Sequence, residues 1–248
     1  MPVAKIAIEP VTVALESSLY VGSGFGYGLV DAAAVCDARG HPYIPGSSIK
    51  GRVRQACEGV ARTHGLYVCE PPYPGRMCGN GESRRCIVCR VFGNPGGSEG
   101  ELERLHWDNA YLLSSWSEAA GDMRLTCART QVGISRTRGV AREGLLFSQQ
   151  FATRLLSFAT AITGSLWLTP VAGEKGVYYE LMLLLAGLHL VDSLGGRRSG
   201  GAGRCRLLVP AAVLVRSDEG EQRLEVSRLL GDLDLLELYD QQVEAGET

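Results

Sequence analysis

Residues Leu66 to Gly100 cannot fold unaided, and that constrains everything built around them. The stretch is rich in Pro, Gly, Arg and Cys and shows no hydrophobic periodicity. It cannot bury enough apolar surface to offset the entropy of ordering it, so it needs a staple. Cys69, Cys78, Cys86 and Cys89 supply one, with eight, seven and two residues between them. Cys86 and Cys89 have the spacing of a close zinc-ligand pair. The pair Cys69 and Cys78 is wider than usual, and His64 and Cys57 stand near enough in sequence to substitute. A four-thiolate Zn²⁺ site on Cys69, Cys78, Cys86 and Cys89 is preferred over free thiols, structural because no position is reserved for water.

The redox setting agrees. The start, MPVAKIAIEP, carries a charge early and lacks the apolar core of a signal peptide, and the longest apolar run, Leu181 to Leu190, is too short to span a bilayer. The expected place is the cytoplasm, with no membrane partner, where clustered cysteines bind metal rather than form disulfides.

A second fixed point is His41 to Arg54, HPYIPGSSIKGRVR. Pro42 and Pro45 mark a turn. Beyond it Ile49, Val53, Ala56, Cys57, Val60 and Ala61 recur at helical spacing, predicting a helix over 48–64. Ser47 or Ser48 can cap its first N–H groups, and Lys50 and Arg54 share a face one turn apart. Free N–H groups, the positive end of a helix dipole, two hydroxyls and mobile cations make an anion site, with phosphate the favoured anion. An ordinary capped surface helix is the competing reading.

Around these points the pattern is mixed. Val3 to Tyr20 alternates as a long strand, and Val21 to Asp31 is a glycine-rich loop. Leu105 to Leu113 reads as a strand with Leu105, Trp107, Asn109, Tyr111 and Leu113 on one face. Residues 126–150 form an arm or hairpin carrying Arg129, Arg136, Arg138 and Arg142. Strands follow near Leu145–Phe151 and Ser157–Leu168, then a core helix over Val177–Leu194. A second glycine-rich segment carries Arg197, Arg198 and Arg204, and Arg206–Arg216 closes as a strand. Residues 217–248 hold ten acidic and two basic residues, against 23 basic and 17 acidic in the rest. A basic body with an acidic tail permits a polyanion partner. Leu229, Leu233 and Leu236 have the spacing of a short amphipathic helix packed on the body. The element order predicts an α+β fold with a ferredoxin-like (RRM-like) βαββαβ core, a cysteine-rich insertion at 66–100 and an arginine-rich arm at 126–150, all in one domain over 1–248.

PYIPGSSIKG, Pro42 to Gly51, resembles the signature of the RAMP superfamily, the RNA-binding subunits of CRISPR effector complexes. CIVCRVFG (Cys86–Gly93), WDNAYL (Trp107–Leu112) and GGRRSGGAGR (Gly195–Arg204) follow in the family's order, so the resemblance runs to about Arg216. Within the superfamily the chain is most similar to the repeated (Csm-type) backbone subunit of type III antiviral complexes. That resemblance implies a CRISPR RNA, a complementary target RNA, copies of the same chain, other RAMP subunits and a large polymerase-like subunit as partners. It implies RNA-backbone contacts from Ser47, Ser48, Lys50, Arg52, Arg54, Arg197, Arg198 and Arg204, and makes the arm, with Arg136 and Arg138, a thumb inserted between guide and target. It also implies a metal-dependent endoribonuclease in which a loop aspartate cuts target RNA with Mg²⁺ or a similar divalent ion. Asp31 stands at that position and Asp37 is the alternative.

The competing readings are a non-catalytic RAMP subunit of the same complex, a guide-processing nuclease and a dinucleotide-binding enzyme. The processing nuclease would favour a histidine base, and His41, His64, His106 and His189 show no paired spacing. The dinucleotide fingerprint needs a glycine loop between first strand and helix with a following acidic residue, which is lacking.

Overall fold

A computed structural model describes residues 3–78, 85–93, 104–118, 125–218 and 220–245. The remainder of the 66–100 insertion, residues 79–84 and 94–100, and the last three residues of the tail lie outside the described residues.

Strand β1, Val3–Leu15, is the spine of a seven-stranded antiparallel sheet. Its alternation sends Ala4, Ile6, Ile8, Val11, Val13 and Leu15 inward. The register shifts between Ile8 and Val11, where Glu9 and Pro10 intervene, since proline cannot donate to a ladder. The predicted strand to Tyr20 stops at Leu15. Beyond it the partners change: Leu19 bridges Ala152 and Tyr20 bridges Gly196.

Helix α1, Gly46–Thr63, follows, then the short α2, Ile87–Phe92. The predicted strand over Leu105–Leu113 is broken in two, β2 (Arg104–Trp107) and β3 (Tyr111–Leu112). Between them Ala110 turns inward to exchange both backbone hydrogen bonds with Ile44 (2.8 and 2.9 Å), and Tyr111 is exposed. The shared face read from alternation therefore fails at Asn109. A short helix α3, Ser114–Glu118, leads on. Strands β4 (Thr126–Ile134) and β5 (Ala141–Ala152) form a separate two-stranded hairpin. Strand β6, Ser157–Trp167, pairs with β1 along its length and carries β2 and β3 on its other edge. Helix α4, Tyr179–Leu190, lies across the inner face.

The predicted closing strand is also two. Strand β7, Cys205–Leu208, pairs with Thr12–Leu15, and β8, Ala212–Ser217, pairs with Lys5–Ala7. Pro210 separates them. Strand β9, Gly220–Glu225, lies in the acidic tail outside every predicted strand and completes the order β2-β6-β1-β8-β9.

Helices α1 and α4 pack on each other and on the buried sheet face. Helix α4 is buried from Tyr179 through Leu188, because the tail closes it from outside. That tail is helix α5 (Val226–Gly231), a 3₁₀ turn (Leu233–Leu238) and helix α6 (Tyr239–Ala245), with Leu229, Leu236 and Tyr239 fully buried. No described helix is long and apolar enough to cross a membrane.

Candidate nucleic-acid interface

The PYIPGSS segment is held differently from the expectation. Pro45 occupies the cap position of α1, and among the described residues neither Ser47 nor Ser48 makes a cap hydrogen bond. The Gly46 N–H instead donates to Asn109 Oδ1 at 2.9 Å, and the Ser48 N–H bonds the Pro45 carbonyl. The cap thus comes from the break between β2 and β3. A Cβ on Gly46 would lie 2.0 Å from the Trp107 carbonyl oxygen, so this glycine permits the close approach. Ser47 stays exposed, and Ser48 and Lys50 are half-buried.

The predicted cations Arg52 and Arg54 are engaged within the chain. Arg52 donates through Nε to the Ser193 carbonyl (3.0 Å) and through Nη2 to Ser193 Oγ (3.0 Å), with Asp192 at 3.5 Å. Burial, then the nearby Arg198 guanidinium, pushes Arg52 below the usual arginine range, and Asp192 opposes them. Arg54 pairs with Glu58 (3.1 Å), donates to the Gly93 carbonyl (3.1 Å) and faces Cys89 Sγ (3.8 Å). Burial draws its pKa down, but the Glu58 bond and the neighbouring sulfurs carry it above the usual value. Arg52 therefore ties α1 to the loop before the glycine-rich segment, and Arg54 ties it to the cysteine segment.

The four cysteines converge. The Sγ atoms of Cys69, Cys78, Cys86 and Cys89 lie within 4.8 Å of one another, all buried. Cys69 and Cys89 are 3.3 Å apart and Cys69 and Cys86 3.9 Å. Bonds of about 2.3 Å to a tetrahedral metal put sulfurs about 3.8 Å apart, so the set fits one ion. Cys86 is held down to about 5, chiefly by its hydrogen bond with Cys89, while Cys89 is pushed up by the same bond and Cys78 up to about 12, chiefly by burial. Four sulfurs this close cannot all ionise without a cation. The substitutes are engaged elsewhere: Cys57 donates to the Leu183 carbonyl (3.3 Å), and His64 faces Glu237 (3.8 Å).

The glycine-rich loop after β1 docks on β5. Asp31 Oδ2 accepts from the Ser148 N–H at 2.7 Å and from Ser148 Oγ at 3.2 Å, and the Asp31 N–H bonds the Ser148 carbonyl at 3.0 Å. Ser148 Oγ also closes a short contact on the Leu29 carbonyl. Gln150 Oε1 accepts from the Ala34 N–H at 3.2 Å. Asp31 itself is exposed, and Oδ1 has no hydrogen bond among the described residues. Asp37 differs: its Oδ1 accepts the N–H groups of Arg39 (2.9 Å) and His41 (2.8 Å), closing a local turn.

The other face of β5 meets the second glycine-rich segment. Arg197 has φ 61°, a left-handed conformation rare outside glycine, and its guanidinium lies over the Phe147 ring at 5.5 Å. Arg129, opposite Gln149, lies over the Phe151 ring at 4.9 Å and donates to Ser18 Oγ at 2.6 Å. Tyr20 packs on Phe151, with ring centroids 5.4 Å apart. Gln149 Oε1, on the strand between Phe147 and Phe151, is buried and has no hydrogen-bond partner among the described residues. Arg204 pairs with Glu16 at 3.0 Å. Arg136 and Arg138 sit exposed at the hairpin turn, beyond apolar positions that are also exposed: Val132, Ile134, Val140 and Leu146.

A cleft of about 500 Å³ opens on the sheet beside Glu9, His106, Asp108 and Tyr111, and its lining includes none of the predicted RNA or catalytic residues.

A sequence model of the RAMP superfamily matches residues 12–206. The chain belongs to that superfamily. The RAMP match runs from β1 to β7 and so takes in the aspartate loop, α1, the cysteine cluster, the hairpin and the second glycine-rich segment. Among solved structures, the RAMP chain is similar to one in a cryo-EM structure of the type III-B Cmr-beta bound to cognate target RNA. They share 13% identity and a TM-score of 0.54, over 82% of this chain and 96% of that one, which is a likeness of fold. No curated protein matches it.

Proposed function

We propose that this RAMP protein is an RNA-binding backbone subunit of a type III CRISPR effector complex that cuts complementary target RNA beside Asp31. The carrying observation is the anchoring of Asp31 on β5. The strand that holds this carboxylate also projects the hairpin whose tip carries Arg136 and Arg138 beyond exposed apolar side chains. Exposed apolar groups on a cationic arm suit insertion between stacked bases. The strand order, with both long helices on one face, supports the ferredoxin-like reading of the core.

The guide backbone would meet Ser47, Ser48 and Lys50 at the start of α1 and Arg197, Arg198 and Arg204 on the second glycine-rich segment. Arg52 and Arg54 would position these elements through the partners described above. Base pairing supplies sequence specificity, so phosphate contacts suffice. The Cys69, Cys78, Cys86 and Cys89 cluster would hold a structural Zn²⁺. Guide, target, further copies and the other subunits of the complex are the partners this reading requires.

Asp31 presents one carboxylate oxygen while Ser148 fixes the other. Among the described residues the only group of three or more metal-capable side chains is the cysteine cluster, so no all-protein cage surrounds Asp31. That fits Mg²⁺, which is commonly bound by one or two carboxylates with water and substrate phosphate. When bound, such an ion neutralises charge growing on the scissile phosphate. Asp31 then orients the attacking 2′-hydroxyl on a target nucleotide splayed by the hairpin. The 2′-oxygen bonds to phosphorus as the bond to the 5′-oxygen of the next nucleotide breaks. The 2′-hydroxyl proton is lost to solvent and the leaving oxygen takes one up, giving a cyclic phosphate and a 5′-hydroxyl, so DNA targets are bound but not cut.

The test assembles the complex with Asp31→Ala and, separately, Asp37→Ala and follows a labelled complementary RNA with and without Mg²⁺. Loss of cutting with Asp31→Ala alone, at unchanged target affinity, is expected. Undiminished cutting by Asp31→Ala leaves the non-catalytic subunit as the reading.

A further inference from the structure

Strand β5 presents two faces. Ser148 and Gln150 face the aspartate loop. Phe147, Gln149 and Phe151 face the other way, toward Tyr20 and the second glycine-rich segment. On that second face each ring carries a guanidinium, Arg197 over Phe147 and Arg129 over Phe151. Four residues of strand separate the rings by about 13 Å. The two cations come from different parts of the chain and share this face: Tyr20 bridges Gly196, Leu19 bridges Ala152 on β5, and Arg129 bonds Ser18.

Both arginines are exposed, and neither has a carboxylate partner among the described residues. Other exposed arginines here, such as Arg206 and Arg216, are paired with glutamates. A guanidinium has five N–H donors, and the one hydrogen bond to Ser18 leaves most of Arg129's available. A flat ring beneath it removes rotamer freedom without neutralising charge, which prepares the cation for an anionic ligand. The left-handed backbone at Arg197 is a conformation that a non-glycine residue rarely adopts, and with it this side chain lies over Phe147.

We propose that Arg129 is a further RNA-backbone contact, forming with Arg197 a two-cation shelf whose geometry is set by Phe151 and Phe147. The shelf spans more than one nucleotide step and is blind to base identity. This rests on the RNA-binding function proposed above, and Phe147 is a positioning residue that does not touch RNA.

The test measures binding of the full chain to two unrelated single-stranded RNAs across a salt series, with thermal unfolding of each variant alongside. Arg129→Ala is expected to weaken both RNAs equally, by about tenfold, the loss of one charge-assisted contact. It should reduce the slope of log affinity against log salt by about 0.7. Arg129→Lys should restore the slope but only part of the affinity. Phe147→Leu keeps every charge, so affinity should fall severalfold with the slope unchanged. Wild-type binding with Arg129→Ala matching it in affinity and slope overturns the shelf and leaves the RNA-binding function standing. A change of slope with Phe147→Leu overturns the positioning role. A wild-type chain that binds neither RNA overturns both readings together.

Discussion

Gly46 shows how a single missing atom admits the family signature to this fold. Its absent Cβ would meet the Trp107 carbonyl at 2.0 Å, and its N–H takes the Asn109 cap. Gly46→Ala must push backbone against backbone and is expected to cost about 1–3 kcal/mol. For a chain of this size that lowers Tm by about 2–4 °C per kcal/mol, readable by calorimetry. Asn109→Ala, which removes the cap and a long hydrogen bond to the exposed Tyr111 hydroxyl (3.4 Å), should cost about 1 kcal/mol. Neither role is legible in the sequence, where Asn109 reads as one more strand position and Ser47 and Ser48 as the natural caps. Proline at the cap position and a distant asparagine are brought together only by tertiary contact. The contrast between Asp31 and Asp37 is hidden for the same reason. Both are loop aspartates beside glycines, and what separates them is Ser148, 117 residues from Asp31.

At the scale of elements, the apolar face of α1 and the core character of α4 were legible because burial follows period. Ile49, Val53, Cys57, Val60 and Ala61 are all buried as that period requires. The strands were less legible at their ends: β1 stops five residues early, and the strands predicted at 105–113 and 206–216 each break where a proline or a new partner interrupts the ladder. The cysteine segment was legible from what it lacks, a core of its own. Its sulfurs belong to the buried core cluster beneath α1, so losing the ion should loosen that end of α1 as well. Cys86→Ser with Cys89→Ser is expected to abolish the roughly one equivalent of Zn²⁺ that elemental analysis should find per chain. The same variant should open cleavage sites for protease between Leu66 and Phe92. Protein purified without chelator and found free of zinc contradicts the assignment.

Over the whole molecule, the acidic tail is a structural part as well as a charged one. Leu229, Leu236 and Tyr239 close the outer side of α4, and Tyr239 receives a hydrogen bond from Arg90, next to Cys89. Arg90 also pairs with the fully buried Glu180 at 3.3 Å. Ending the chain after Glu225 should expose α4 and cost on the order of 3–5 kcal/mol, seen as a lower denaturant midpoint. A chain so shortened that unfolds at the same midpoint would show the tail to be dispensable. The two-faced strand β5 has a different kind of consequence, one for inheritance. Because successive residues face opposite ways, removing one residue between Phe147 and Phe151 would exchange the side that grips the aspartate loop with the side that seats the arginines. The hairpin can therefore vary freely only at its far turn, around 135–140. Its base tolerates substitution but not a change of count, and descendants of this chain should differ in arm length while keeping the spacing of Phe147, Ser148 and Phe151.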